Sequence, residues 1–151
     1  MKDNAIKKAK TIAQFTGLTA VADDTGLEVD YLNGAPGVFS SRYSGVNATY
    51  ADNVRKLLLE MQGVRREKRT ARFRCVVALS DGKNSETVEG VCEGVITEQP
   101  RGGNGFGYDP VFYLPEFDCT FTEMELTKKN EISHRAKAFL NLKELLENKI
   151  V

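Results

Sequence analysis

The sequence has little of what metal clusters and disulfide frameworks need. Its 151 residues contain a single histidine, His134, which excludes a site built from several histidines. Any divalent ion must therefore be held by oxygen atoms, as Mg²⁺ prefers. The three cysteines are odd in number and form no CxxC pair. This pattern disfavours a zinc cluster or a disulfide framework and favours a reducing compartment.

Excess charge and long apolar runs are also absent. The chain has 21 Lys and Arg against 21 Asp and Glu, so its formal net charge is zero. A neutral chain is a poor candidate for wrapping DNA or an anionic membrane. No signal-peptide pattern or membrane-spanning run is visible in the sequence. We therefore expect a cytoplasmic protein that binds neither DNA nor a membrane, although a few converging lysines could still hold a small anion.

Composition and length favour a single globular domain. Hydrophobic residues make up 41% of the chain and charged residues 28%, which suffices to bury a core. The length predicts one domain, residues 1–151. Helix and strand patterns alternate without a repeat or an interior linker, which predicts an α/β or α+β fold with one sheet.

Three stretches have the hydrophobic spacing of helices. The first covers residues 3–17, where Asp3 can cap the helix and Gly17 can end it. The second covers residues 48–63. A final helix follows Ser133, which is a plausible N-cap. Its apolar face is predicted to include Ala136, Phe139, Leu140 and Leu146.

The strand predictions come from alternating apolar and polar residues. Residues 18–37 predict a strand, a turn at Thr25-Gly26 and a second strand. Two further strands are predicted to form a hairpin at Asp81-Gly82, and residues 109–114 predict a short strand. The basic run at residues 65–74 is interpreted as a solvated loop leading into a strand.

Two adjacent acids, Asp23 and Asp24, form the first candidate site. Neighbouring side chains on a strand point to opposite faces, so a regular strand presents only one of these acids to a given site. The predicted turn would place the second acid at the strand end, where sites are often built. A lone carboxylate there can hold Mg²⁺ or accept a proton from water. The alternative is that Asp24 only shapes an Asx turn before Gly26.

The segment GGNGFGYD, residues 102–109, is the second candidate. Its four glycines would let backbone N–H groups approach an anion or a flat ring. Phe106 and Tyr108 offer faces for stacking on a base, and Asp109 offers an acceptor. The segment is neither a Walker loop nor a Rossmann fingerprint, because GK[ST] and the strand–GxGxxG–helix order are absent. A glycine-rich hairpin loop is the alternative.

The third candidate lies at the start of the last predicted helix. With Ser133 as the cap, His134 and Arg135 occupy the first turn, where positive charge opposes the helix dipole. That placement suits an electron-rich ligand at the helix N-terminus. A solvent-exposed pair without a role fits the pattern equally well. Lys128 and Lys129, just before, add positive charge for phosphate.

Taken together, these stretches resemble the inosine triphosphate pyrophosphatase family. The matches run in the family's order and cover nearly the whole chain: NAIKKA (4–9), ADDTGLEVDYLNGAPGVFSSRYSG (22–45), GNGFGYDPVF (103–112) and KNEISHRAKA (129–138). The resemblance implies an elongated α/β fold with a mixed β-sheet, flanking helices and two lobes around a central cleft. It also implies a homodimer and Mg²⁺-dependent hydrolysis of ITP, dITP and XTP to the monophosphate and pyrophosphate.

The resemblance further implies individual site residues. Asp24 matches the catalytic acid that binds the metal and activates water, and Thr25 matches the hydroxyl residue beside it. The other matched positions are substrate-binding: Lys8 and Lys129 as lysines that contact substrate, Phe106, Gly107, Tyr108 and Asp109 as the base-pocket loop, and His134 and Arg135 as the pair closing over the purine.

One part of the family pattern does not appear in this sequence. Family members begin with a strand and a [ST]GNxxK loop that wraps the triphosphate, and the sequence shows neither before Met1. Asp3 stands where the family usually has Glu. We therefore expect a sheet without its N-terminal strand, with one edge open. The alternatives to an enzyme are a shortened, weak or inactive nucleotide-binding or dimerisation module, and a purely structural dimer.

Overall fold

The computed structural model describes residues 1–103 and 105–150, and their mixed α/β fold confirms the predicted α/β class. Within these residues the α-helices are α1 Lys2–Thr16, α2 Tyr50–Glu60, α3 Leu126–Ile132 and α4 His134–Ile150. The strands are β1 Ala20–Val29, β2 Thr70–Ser80, β3 Ser85–Ile96, β4 Phe112–Leu114 and β5 Cys119–Thr120. They form one sheet in chain order, in which β4 pairs antiparallel with both β3 and β5.

The chain divides into two compact units. Unit 1 consists of Met1–Thr25, Arg74–Cys92 and Asn130–Val151. Helices cover both faces of its sheet segment. Ala5 and Ala9 of α1 pack against Val76 and Ala78 of β2, whereas α4 packs against Cys75 and Val77. Because successive strand residues face opposite sides, α1 and α4 lie on opposite faces of the sheet.

Unit 2 consists of Gly26–Phe73 and Glu93–Lys129. Aromatic rings fill part of its core: the Phe112 centroid lies 4.5 Å from that of Phe73 and 5.3 Å from that of Phe121. Gly94 in β3 makes this packing possible, since a Cβ there would come within 2.5 Å of the Phe112 ring. Leu57 of α2 and Met61, which directly follows that helix, are also fully buried.

The ends of the first two helices follow local chemistry. Gly17 ends α1 in the left-handed conformation with φ 71°, as predicted. The prediction of Asp3 as its N-cap is wrong: α1 begins at Lys2, and Asp3 lies in the first turn, where its charge favours the helix dipole. Helix α2 begins with a capping box between Thr49 and Asp52.

The strand predictions are partly confirmed. The hairpin at Asp81-Gly82 is present, and the Asp81 carboxylate accepts hydrogen bonds from the amides of Lys83 and Asn84 at 2.8 and 2.7 Å. The predicted turn at Thr25-Gly26 is wrong, because β1 continues through both residues. The short strand predicted at residues 109–114 is half correct, since a 3-10 turn at Asp109–Val111 precedes β4.

The predicted apolar face of the last helix is wrong. Phe139, Leu140 and Leu146 are 41%, 58% and 37% exposed, whereas Ala138 and Leu142 are buried. Near the start of α4 the small side chain of Ala138 faces inward, because the helix approaches the sheet very closely there. A Cβ at Gly90 of β3 would come within 2.2 Å of a backbone carbonyl oxygen of α4, which leaves no space for a bulky residue at this point.

The interpretation of residues 65–74 as solvated is wrong for Arg69, which is only 3% exposed. Its guanidinium donates to the carbonyl oxygens of Met61, Val64, Ile96 and Thr97. Burial lowers the pKa of Arg69.

None of the helices described in residues 1–103 and 105–150 is both long and apolar enough to cross a bilayer.

Candidate active site

Asp24 lies on the face of β1 that is covered by α1. Its carboxylate accepts a hydrogen bond from the Asn4 amide at 3.3 Å and pairs with the Lys8 ammonium at 3.5 Å. Lys8 also donates to the backbone carbonyl of Asp23 at 3.0 Å, which ties the lysine to the strand. The Asp24 side chain is 18% exposed, so a carboxylate oxygen is still accessible to solvent.

Asp23 and Thr25 lie on the opposite face, toward α4. The Arg135 guanidinium donates to Asp23 Oδ2 from Nη2 at 3.2 Å and from Nε at 3.4 Å. The same Nη2 lies 3.4 Å from Thr25 Oγ1. Cys75 contacts the same carboxylate at 3.8 Å, and burial is the main reason that its pKa is raised. Asp23, Thr25 and Arg135 therefore lie together on the α4 face of unit 1, whereas Asp24 and Lys8 lie on the α1 face.

The start of α4 is held by backbone packing and by a cap. Ser133 Oγ accepts the amide of Ala136 at 3.1 Å, which confirms the predicted N-cap role. A Cβ at Gly90 would also come within 2.4 Å of the Ala138 nitrogen, so the helix backbone lies directly against β3. Of the predicted pair, His134 is buried, with 7% exposure, whereas the Arg135 side chain is 53% exposed. Arg135 is thus the member of the pair that solvent reaches.

The glycine segment combines two different uses of glycine. Gly102 and Gly105 pack against Thr122, since a Cβ on either would come within 2.8 Å of that side chain. Gly102, Gly103 and Gly107 have positive φ, of +94°, +83° and +55°, but among the four glycines a Cβ would meet nothing within 4 Å only at Gly103 and Gly107. Only this second pair leaves bare backbone open to a ligand. Asn104, between them, lies outside the described residues.

The two predicted stacking rings differ in accessibility. Phe106 is 63% exposed and meets the Tyr50 ring edge-on, with 4.9 Å between centroids. Tyr108 is 5% exposed, and its hydroxyl donates to the Ser40 carbonyl at 2.7 Å. Burial raises the pKa of Tyr108 well above its ordinary value. Phe106 therefore offers an open ring face, while Tyr108 ties the segment to residue 40.

Asp109 and Lys129 form an ion pair. The Asp109 side chain is 8% exposed and that of Lys129 is 26% exposed, so the pair is largely shielded from water. Lys129 Nζ also lies 5.5 Å from the Phe121 ring centroid. Two residues predicted to contact substrate are thus in direct contact within unit 2.

The sequence model of the Ham1 family matches residues 1–145. The chain belongs to the Ham1 family. A dITP/XTP pyrophosphatase of Bacillus licheniformis is 52% identical over 147 residues, which cover 97% of this chain and 75% of that protein. A dITP/XTP pyrophosphatase of Desulforamulus reducens is 53% identical over 145 residues, which cover 95% of this chain and 72% of that protein.

Solved structures of Ham1 proteins have the same fold. The protein from Coxiella burnetii superposes with a TM-score of 0.91 at 46% identity, covering 97% of this chain and 76% of that one. The protein from Staphylococcus aureus gives a TM-score of 0.92 at 39% identity, with the same coverage. The resemblance inferred from the sequence is therefore confirmed.

For this Ham1 chain, reasoning from the sequence assigned no role to Asp23 and missed Gly90. Asp23, rather than Asp24, contacts Arg135, and Gly90 lets the start of α4 approach the sheet. The alternation of side chains along an unbroken β1 could have indicated that Asp23 has a separate partner. No local signal marks Gly90, because the residues that pack on it belong to the last helix, far along the chain.

A magnesium ion fits the donor set around Asp24. Among residues 1–103 and 105–150, no cluster of three or more His, Cys, Asp or Glu side chains is placed to enclose a metal. Mg²⁺ does not need such a cage, since it keeps several waters and binds through one or two carboxylates plus substrate phosphates. The partly exposed Asp24 carboxylate, steadied by Asn4 and Lys8, supplies one such ligand.

Proposed function

We propose that this Ham1 chain hydrolyses aberrant purine nucleoside triphosphates, namely dITP, ITP and XTP, to the monophosphate and pyrophosphate in a Mg²⁺-dependent reaction. The relatives named dITP/XTP pyrophosphatase support the substrate class. The observation that carries the proposal is the partly exposed Asp24 carboxylate of β1, which has the Lys8 ammonium 3.5 Å away on the same face of the strand. Carboxylates and cations in one place are what metal-assisted phosphate chemistry requires.

Asp24 is proposed as the catalytic carboxylate, acting as general base, and as the metal ligand. Its carboxylate would accept a proton from the water that attacks the α phosphorus. Bound Mg²⁺ would supply charge neutralisation at the phosphate oxygens. Lys8, 3.5 Å from Asp24, would add positive charge beside the phosphates. Lys129 is the second proposed substrate lysine, and its ammonium group pairs with Asp109.

The base is proposed to bind on the glycine segment. The exposed face of Phe106 would stack on the purine, which is worth about 1–3 kcal/mol per base. The open backbone at Gly107 would allow close approach, with Tyr108 and Asp109 holding the segment in place. These residues make contacts that any purine could use, so they do not explain discrimination between bases.

Discrimination is assigned to the start of α4. Arg135, or a backbone N–H there, would donate to the 6-oxo group of hypoxanthine or xanthine, with Thr25 and His134 lining the same region of unit 1. Adenine presents a 6-amino donor instead, which leaves two donors facing each other. An unpaired buried group costs about 1–3 kcal/mol, so ATP should be a poor substrate.

On the resemblance alone, we also propose that the protein is a homodimer and that it works in the cytoplasm.

The test is a pyrophosphate-release assay with dITP, ITP, XTP and ATP, with and without Mg²⁺. We expect release from the 6-oxo substrates dITP, ITP and XTP, little from ATP, and none without metal. Asp24→Asn is the matched control, because it keeps the shape and loses the charge. Saturable ITP binding without release from any nucleotide would contradict the enzyme and indicate a binding module.

A further inference from the structure

The feature to explain is the contact between Asp23 and Arg135. The two residues are 112 positions apart, yet both Nε and Nη2 of the guanidinium point to one carboxylate oxygen, at 3.4 and 3.2 Å. The arginine side chain is 53% exposed and that of the acid is 33% exposed. A planar guanidinium held through two donors has a defined orientation, which a lysine could not reproduce.

The neighbouring acid is excluded from this contact by geometry. Asp24 points to the α1 face of β1, where it meets Asn4 and Lys8. Asp23 points to the α4 face, where Thr25 Oγ1 lies 3.4 Å from its carboxylate. Two adjacent acids therefore have different neighbours and, on the proposed mechanism, different tasks.

The rest of α4 fixes only the backbone of Arg135. Gly90 allows the first turn of α4 to lie against β3, and Ser133 caps that turn. Neither contact restrains the long arginine side chain beyond its Cα. Holding the tip of such a side chain before a ligand arrives removes an ordering cost from binding. The Asp23 carboxylate is in the position to do so.

We propose that Asp23 is a positioning residue that orients the Arg135 guanidinium toward the purine and thereby sets selectivity for the 6-oxo base. The inference rests on the proposed function, because it takes Arg135 as the donor to the base. It assigns Asp23 no contact with the reacting phosphorus. The loss of Asp23 should consequently affect recognition of the base and spare recognition of the phosphates.

The experiment is a double-mutant cycle with Asp23→Asn, Arg135→Ala and the combined variant. Binding of ITP, ATP and inorganic tripolyphosphate is measured by calorimetry, and KM and kcat for ITP are measured on the same samples. We expect Asp23→Asn to weaken ITP binding about fivefold, the size of a typical contact coupling, with kcat within about twofold. Tripolyphosphate binding should not change, and the ratio of ITP to ATP affinity should fall.

Two controls separate positioning from a structural role. Asp23→Glu keeps the charge and should restore part of the ITP affinity. Glu86→Gln removes another exposed ion pair of unit 1, the one with Lys149. It should change the affinity neither for ITP nor for tripolyphosphate. Thermal melts of all variants show whether folding is intact. In the combined variant, the loss of ITP affinity should equal the loss in Arg135→Ala alone.

The experiment distinguishes a failure of the positioning role of Asp23 from a failure of the proposed hydrolase function. Additive losses in the cycle, or equal weakening of ITP and tripolyphosphate, would overturn the positioning role. A wild-type chain that binds ITP but releases no pyrophosphate would refute the proposed function and leave the cycle measurable by calorimetry. A wild-type chain that binds no nucleotide would overturn both.

Discussion

Arg69→Met should destabilise the protein without touching any proposed site residue. The Arg69 guanidinium donates to four backbone carbonyls, those of Ile96 and Thr97 at 2.8 and 2.7 Å and those of Met61 and Val64 at 2.7 and 3.2 Å. These carbonyls belong to the end of α2, the turn after it and the end of β3. The side chain thus joins three segments of unit 2.

The size of the stability loss follows from the hydrogen bonds that the four carbonyls lose. Hydrogen bonds to a charged group contribute about 1.5–3 kcal/mol each, so the gross loss is about 6–12 kcal/mol. Against this stands the desolvation of a buried cation, which costs several kcal/mol and is removed by the substitution. Ile96 and Thr97 also line a cavity of about 500 Å³, so we expect water to replace part of the bonding that their carbonyls lose in the variant. The Met61 carbonyl keeps the Val64 amide at 3.1 Å.

The expected net loss in the free energy of unfolding is therefore about 3 kcal/mol. For a chain of this size, that corresponds to a fall in Tm of roughly 6–12 °C. Urea unfolding followed by circular dichroism measures the free energy, and calorimetry measures the Tm. Arg65→Met, at an exposed position four residues earlier, is the matched control and should stay within about 0.5 kcal/mol. A loss below about 1 kcal/mol for Arg69→Met would refute the reasoning.

Three further predictions concern the site. Asp24→Asn should lower kcat by about 10²–10⁴ while nucleotide affinity stays nearly constant, and an equal loss of both in kinetic and binding assays would make Asp24 structural. Phe106→Ala should weaken ITP binding by about 1–3 kcal/mol and leave pyrophosphate binding unchanged, and calorimetry showing equal weakening would exclude a base platform. Gly90→Ala should lower stability by about 1–3 kcal/mol and raise KM for ITP, because α4 must move away from β3. An unchanged Tm for that variant would contradict the close packing.

The site could be predicted in part from the sequence. The acids, the glycine segment and the start of the last helix were identifiable because each is a short run with its own chemistry. The reason for the bare glycines was not identifiable. Thr122, which lies outside the quoted motif, packs on Gly102 and Gly105, and Gly102 also has a φ of +94°. The role of the segment as an open cradle stays a prediction, and the uncovered backbone that it needs is found at Gly103 and Gly107.

Burial was the property that local patterns predicted least well. Apolar spacing in α4 favoured Phe139 and Leu140 as inward residues, yet Ala138 faces the sheet. Charge favoured a solvated Arg69, yet its guanidinium is bound by the carbonyls of Ile96 and Thr97, 27 and 28 positions away, as well as by those of Met61 and Val64. In both cases partners from another part of the chain complete the burial, so no window of neighbouring residues contains the information.

The sequence by itself determined the family, the helix-ending glycine at Gly17 and the hairpin at Asp81-Gly82, because these depend on residues close together in the chain. The tertiary structure alone decided which acid meets Arg135. An unbroken β1 sends Asp23 toward α4 and Asp24 toward α1. The physical reason is that side chains alternate across a strand, so their partners are set by the helices that cover each face.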